Sequence, residues 1–121
     1  MSELDPRITI LLGDIYTSAE RIVEHLQNKT LEGFIGDEGI DLQDIVTRRM
    51  TIIGEASAAL LRKYPEFCEQ HIEIPLRKAR GMRNTLVHDY NRIDWPLVWK
   101  VAREHLPQLM DAIRPFLPKK Q

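Results

Sequence analysis

Ile8, Leu11, Leu12, Ile15, Ala19, Ile22, Val23 and Leu26 recur at steps of three and four, which lines them along one side of an α-helix. The same step returns in Leu42, Ile45, Val46, Ile53, Ala56 and Leu60, and again in Leu97, Val98, Val101, Leu106, Leu109, Ile113 and Leu117. No stretch alternates apolar and polar residues with β-branched enrichment, so nothing predicts a sheet. A chain patterned this way buries its stripes by packing helix on helix.

Punctuation divides the stripes into elements. Asp5-Pro6 reads as an N-cap followed by proline at the first helical position. Asn28-Lys29-Thr30 ends that helix, and Thr30 caps a short one through Phe34, after which Gly33, Gly36 and Gly39 break the chain. Asp41 starts a second long helix that stops near Tyr64-Pro65. A short turn from Pro65 to His71 leads to Pro75, the first position of a third helix running to about Tyr90. Asp94, Trp95 and Pro96 open the fourth, which Pro107 is expected to bend. The expectation is an all-α, antiparallel four-helix bundle with an extra short helix. It forms one domain over residues 1–121, with 118–121 as a frayed tail.

Composition narrows the function classes. A chain of 121 residues, 43% of them hydrophobic, can fill one core and not two. Seventeen basic residues stand against eighteen acidic ones, a formal net charge of −1. The whole molecule therefore has no attraction for nucleic acid, and DNA is not an expected partner; an anion must be held by a local cluster of Arg and Lys. Cys68 is the single cysteine, so no intrachain disulfide is available, which points to a reducing compartment. The opening MSELDPRITILLGD lacks the basic start and long apolar centre of a signal peptide, and no segment has the length of a membrane span. A cytoplasmic location is expected.

The stretch RGMRNTLVHDY, from Arg80 to Tyr90, departs from the bland pattern. On a helical wheel Arg77, Arg80, Asn84 and His88 fall on one polar stripe, and Leu76, Ala79, Met82 and Leu86 on an apolar one. Arg83 and Tyr90, seven apart, share a side roughly 130° around from His88. An ideal helix thus keeps Arg83 and His88 out of direct contact, although both can border one groove whose other wall is a second helix or a second copy. The set suits phosphodiester cleavage. Arg presents a planar fork of donors to phosphate oxygens, and His exchanges protons near neutral pH. Asn84 can fix the imidazole tautomer or donate to a phosphate oxygen. In RNA a base takes the 2′-hydroxyl proton while the cation stabilises the phosphorane, with no metal and no cofactor required. The competing reading is a solvated basic face, and the spacing alone does not decide between them.

Arg83, four residues, His88, one residue and Tyr90 resemble the R-x4-H-x-Y motif of the HepT toxins, a branch of the HEPN domains. The stretch RRMTIIGEASAAL (Arg48 to Leu60) is similar to that family's second helix, and IDWPLVWKVAREHLPQL to its segment after the motif. The resemblance implies a HEPN-like helical homodimer that acts as a metal-independent endoribonuclease on RNA. Arg83 and His88 would be catalytic in a cleft at the dimer interface, with Asn84 and Arg80 in support. It also implies the toxin component of a toxin–antitoxin system, partnered by an MntA-type nucleotidyltransferase antitoxin that silences it by transferring AMP to Tyr90. The alternative is a non-catalytic HEPN bundle that binds a nucleotide or serves only as scaffold partner of a nucleotidyltransferase.

The remaining candidates carry less. His25, His71 and His105 lack the Glu-x-x-His spacing of a bundle metal site, so no metal is expected. Glu55 is either an exposed helix residue or a buried or interface carboxylate paired with a basic residue such as Arg80 or Arg83. Trp95 and Trp99, one turn apart, read as core or dimer packing rather than as a base-stacking platform. Cys68 reads as structural.

Overall fold

The computed structural model describes residues 4–88 and 90–118, with side chains outside 87–90. Its elements are α1 (Pro6–Leu26), α2 (Leu31–Ile35), a 3₁₀ turn (Asp37–Gly39), α3 (Ile40–Lys63), α4 (Pro65–Gln70), α5 (Leu76–His88), a second 3₁₀ turn (Tyr90–Arg92), α6 (Trp95–Lys100), a π turn (Val101–His105), α7 (Leu106–Ile113) and a last 3₁₀ turn (Arg114–Phe116). Among the described residues there is no strand, as the periodicity predicts. The tail at 119–121 lies outside them.

Local chemistry explains most boundaries. Asp5 caps α1 by accepting from the Arg7 amide at 2.9 Å, with Pro6 supplying a preset φ. The helix stops where Asn28 takes φ 63°, a conformation that Asn tolerates better than most residues. The Thr30 hydroxyl accepts from the Gly33 amide at 3.0 Å and starts α2. Gln43 then donates to the Phe34 carbonyl at 2.8 Å, tying α3 to α2. Gly39 is obligatory in this corner: a Cβ there would fall among the backbone atoms of Gly33 and Phe34. Asp94 caps α6 by accepting from the Leu97 amide at 3.1 Å.

Three expectations change. The segment after Pro65 is a helix, α4, rather than a turn; Tyr64 leaves helical geometry, Pro65 restarts it, and Phe67 is buried beneath. Pro107 is met by a π turn. It has no N–H for the Arg103 carbonyl, and the Leu106 amide reaches back five residues to Val101. Leu97, assigned to the inner face, is 54% exposed, because the buried line of this segment runs through Val98, Ala102 and Leu106 and Leu97 lies one helical step to its side.

The core follows the sequence stripes: Leu12, Ile15, Ile22, Leu26, Val46, Ile53, Leu60 and Ile113 are fully buried, joined by Phe34 and Met50. Trp95 and Trp99 are packing residues, with ring centroids 5.8 and 5.5 Å from Phe34. Arg103 lies 5.2 Å over the Trp99 ring and donates to the Leu26 carbonyl at 3.4 Å, closing the end of α1. Helix α3 packs on α1 and on α5, and α1 packs in turn on α7. Helix α5 rests mainly on α3 and the turn after it. The ring of a closed bundle is incomplete, since a groove of about 440 Å³ separates α5 from α6 and α7.

Candidate functional site

Helix α5 carries the candidate residues, and its amphipathicity sets their directions. Leu76, Ala79 and Leu86 are buried, and Met82 is half-buried against the core. Arg77, Arg80 and Asn84 are consequently exposed on the opposite side. The predicted polar stripe is therefore real as far as Asn84. His88 ends α5 and Tyr90 begins the next turn, but the expected roles of their side chains, and Asp89, fall outside the described residues.

Arg83 sits between the two faces, half-buried. Its stem lies against Gly54 of α3: a Cβ added to Gly54 would fall on the Cβ of Arg83, 2.7 Å from its Cγ and 3.1 Å from the Ala79 carbonyl oxygen. The Nε of Arg83 is sealed from solvent and makes no hydrogen bond. Nη1 donates to Oδ1 of Asn84 at 3.0 Å. That bond turns the Asn84 amide nitrogen away from the guanidinium, so the two residues form one composite group of donors. The structure thus couples Asn84 to Arg83, a partnership that the wheel did not display because adjacent residues point apart on it.

Electrostatics favour an anion here. Among the described residues, Arg77, Lys78, Arg80 and Arg83 have no carboxylate within ion-pairing distance; the recorded pairs are Arg7–Asp5, His71–Glu73 and Arg114–Asp111. Glu55 is exposed and pairs with neither Arg80 nor Arg83 within the chain, so of its two readings the exposed one holds in the protomer. Without a carboxylate partner among the described residues, the four cations give this part of α5 a local positive charge that the net charge of −1 conceals. Among the described residues no group of three or more His, Cys, Asp or Glu side chains gathers to hold a metal.

Two features of the site escaped sequence reasoning. Gly54 stood only within a stretch of family likeness, although a glycine inside a long helix costs about 1 kcal/mol against alanine and so calls for a packing reason. The groove beside α5 needs two walls distant in sequence: Met82, Thr85 and Leu86 on one side, and Val98, Val101 and Leu109 on the other.

A family model described as Ribonuclease HepT-like matches residues 15–116, most of the chain. The chain belongs to the ribonuclease HepT-like family. This HepT-like chain is 33% identical over 113 residues to a Methanocaldococcus jannaschii protein named "Putative RNase", covering 93% of this chain and 97% of that one. It is 36% identical over 98 residues to "Probable ribonuclease HepT" of Thermococcus cleftensis, covering 81% and 84%. A further M. jannaschii relative, named "Gamma-glutamylcyclotransferase and putative RNase", is 36% identical over 107 residues; the match takes 88% of this chain but 46% of that longer protein. No solved structure matches the chain significantly. No described helix is long and apolar enough to cross a membrane.

Proposed function

We propose that this HepT-like chain is a metal-independent endoribonuclease, with Arg83 and His88 as its catalytic residues. The observation that carries the reading is Arg83 itself. Among the described residues it is a cation without a carboxylate partner, held at its stem by α3 and joined to Asn84, on the helix that also exposes Arg77 and Arg80. A solvated basic face does not require a guanidinium fixed by the neighbouring helix. The family match supports ribonuclease chemistry: the model is described as Ribonuclease HepT-like, and relatives are named "Probable ribonuclease HepT" and "Putative RNase".

In the reaction, His88 takes the proton of a 2′-hydroxyl. The oxygen attacks the adjacent phosphorus, and the bond to the 5′-oxygen breaks as that oxygen takes a proton from an imidazolium. Arg83 and the amide of Asn84 donate to the phosphorane oxygens as negative charge grows on them. Arg80 and Arg77 hold neighbouring phosphates. Two imidazoles serve these steps best, which calls for a second copy of the chain. The open side of α5 supplies room for it. An apolar groove is exposed there, Leu97 stands on its rim, and the lips carry Lys78 on α5 and Asp94 at the start of α6. Opposite charges on opposite lips are self-complementary under a twofold axis.

The biological setting we propose is that of a toxin held in check by an MntA-type nucleotidyltransferase antitoxin. The Tyr90 oxygen would attack the α-phosphorus of ATP and pyrophosphate would leave, giving an AMP-tyrosine. The new phosphodiester anion would pair with the cations of α5 and fill the place of RNA. The competing reading is a non-catalytic HEPN partner of the nucleotidyltransferase. Purified, unmodified protein incubated with RNA in excess chelator separates the two: cleavage is expected, and its absence removes the ribonuclease reading.

A further inference from the structure

We infer that Gly54 is a positioning residue, which sets the Arg83 guanidinium by letting α5 close onto α3. The inference rests on the ribonuclease reading for its effect on catalysis, and on geometry alone for its effect on Arg83. Gly54 is buried in the middle of α3, and its φ is not in the left-handed region, so backbone freedom is not the reason for glycine. Contact is the reason. Any side chain at 54 would occupy the space of the Arg83 Cβ and Cγ, which belong to the anchored base of that side chain and cannot swing aside. Gly13 of α1 and Gly81 of α5 have nothing within 4 Å of an added Cβ, so the requirement is specific to position 54 among these helical glycines.

The consequence for the site is orientation. With its Cβ and Cγ against Gly54 of α3, Arg83 has Nε sealed and unpaired and Nη1 joined to the exposed Asn84. A donor buried without an acceptor is costly, so the guanidinium keeps this pose only while the α3–α5 contact enforces it. Arginine side chains otherwise have many rotamers, and binding a phosphate would require ordering them first. Gly54 thus works on the phosphate through Arg83, without touching it.

The test compares Gly54→Ala with Gly13→Ala, by kinetics and by hydrogen exchange at the arginine Nε–H groups, read in nitrogen-edited NMR and assigned by loss of one signal in Arg83→Gln. In the wild type the Arg83 Nε–H should exchange well more slowly than those of Arg77 and Arg80. In Gly54→Ala that protection should vanish, and kcat for RNA should fall about a hundredfold with KM little changed, the scale of a displaced catalytic group. Gly13→Ala should keep both. A Gly54→Ala protein with wild-type kcat, or one that melts lower while kcat and Arg83 exchange stay unchanged, overturns the inference. Should Gly54→Ala not fold, wild-type exchange decides: slow Arg83 exchange upholds the seat, and exchange as fast as that of Arg77 overturns it. Should the wild type not cleave RNA, the ribonuclease reading falls by itself, and the exchange comparison still decides the role of Gly54.

Discussion

The Nη1 of Arg83 donates to the Oδ1 of Asn84 at 3.0 Å while the same guanidinium keeps its Nε sealed and unpaired. One side chain therefore serves two purposes, with its stem as packing and its head as donor. Arg83→Gln keeps much of the stem and should abolish RNA cleavage with little change in melting temperature. Arg83→Ala also removes the stem from Gly54, so it should lose about 1 kcal/mol more, a fall of roughly 4 °C. His88→Ala should abolish cleavage with helix content unchanged. Circular dichroism beside an RNA cleavage assay checks all three, and an Arg83→Gln protein that cleaves normally removes Arg83 from the mechanism.

Asn84 is a neutral acceptor for a cation that must also attract phosphate. Asn84→Asp turns that acceptor into a competing anion, and charge-assisted bonds are about twice as strong as neutral ones. Cleavage at low salt should drop about tenfold, equivalent to 1.4 kcal/mol, and further than in Asn84→Ala. Equal rates in the two variants would show that a negative charge at this acceptor does not compete with phosphate for Arg83.

Tyr90 opens the turn after α5 and has no part in the proposed proton transfers, because a phenol titrates near pH 10 and imidazole near 6.5. Tyr90→Phe should cleave RNA at the wild-type rate yet take up no AMP from ATP and the proposed nucleotidyltransferase antitoxin. Mass spectrometry of the wild-type peptide should show added AMP. Inactivity of Tyr90→Phe by itself argues instead for a direct role.

The groove beside α5 predicts that assembly and activity fail together. Leu97→Glu places a charge on an exposed apolar rim, where it costs the folded protomer little. It should turn the proposed homodimer into monomers of unchanged helix content and cut cleavage severely. Sedimentation of the wild type and the variant at micromolar concentration provides the check; a fully active Leu97→Glu dimer would move the interface elsewhere.

Helix-period patterning was legible because it is a local property. Leu12, Ile15, Ile22, Val46, Ile53 and Ile113, picked by spacing alone, are all fully buried. The caps at Asp5, Thr30 and Asp94 were legible for the same reason, since a side-chain oxygen and an amide two or three residues away suffice. The sequence misled where a local signal had two solutions. Pro107 could bend its helix or be absorbed by a wider turn upstream, and Pro65 could end a helix or begin one. Leu97 and Val98 both fitted an apolar stripe by spacing, and the packing buried Val98 and left Leu97 exposed.

The site divides along the same line. By itself the sequence determined an all-helical chain with Arg77, Arg80 and Asn84 on one exposed stripe of α5, because position on a helix follows from residue number at a fixed angular step. Only the tertiary structure decided that Arg83 lies on Gly54, twenty-nine residues earlier in the chain, that its Nε is closed off, and that α5 leaves a groove instead of closing the bundle. Those relations depend on how closely two helices approach and at what rotation. That approach is set by the shapes of facing side chains, and at Gly54 by the lack of one.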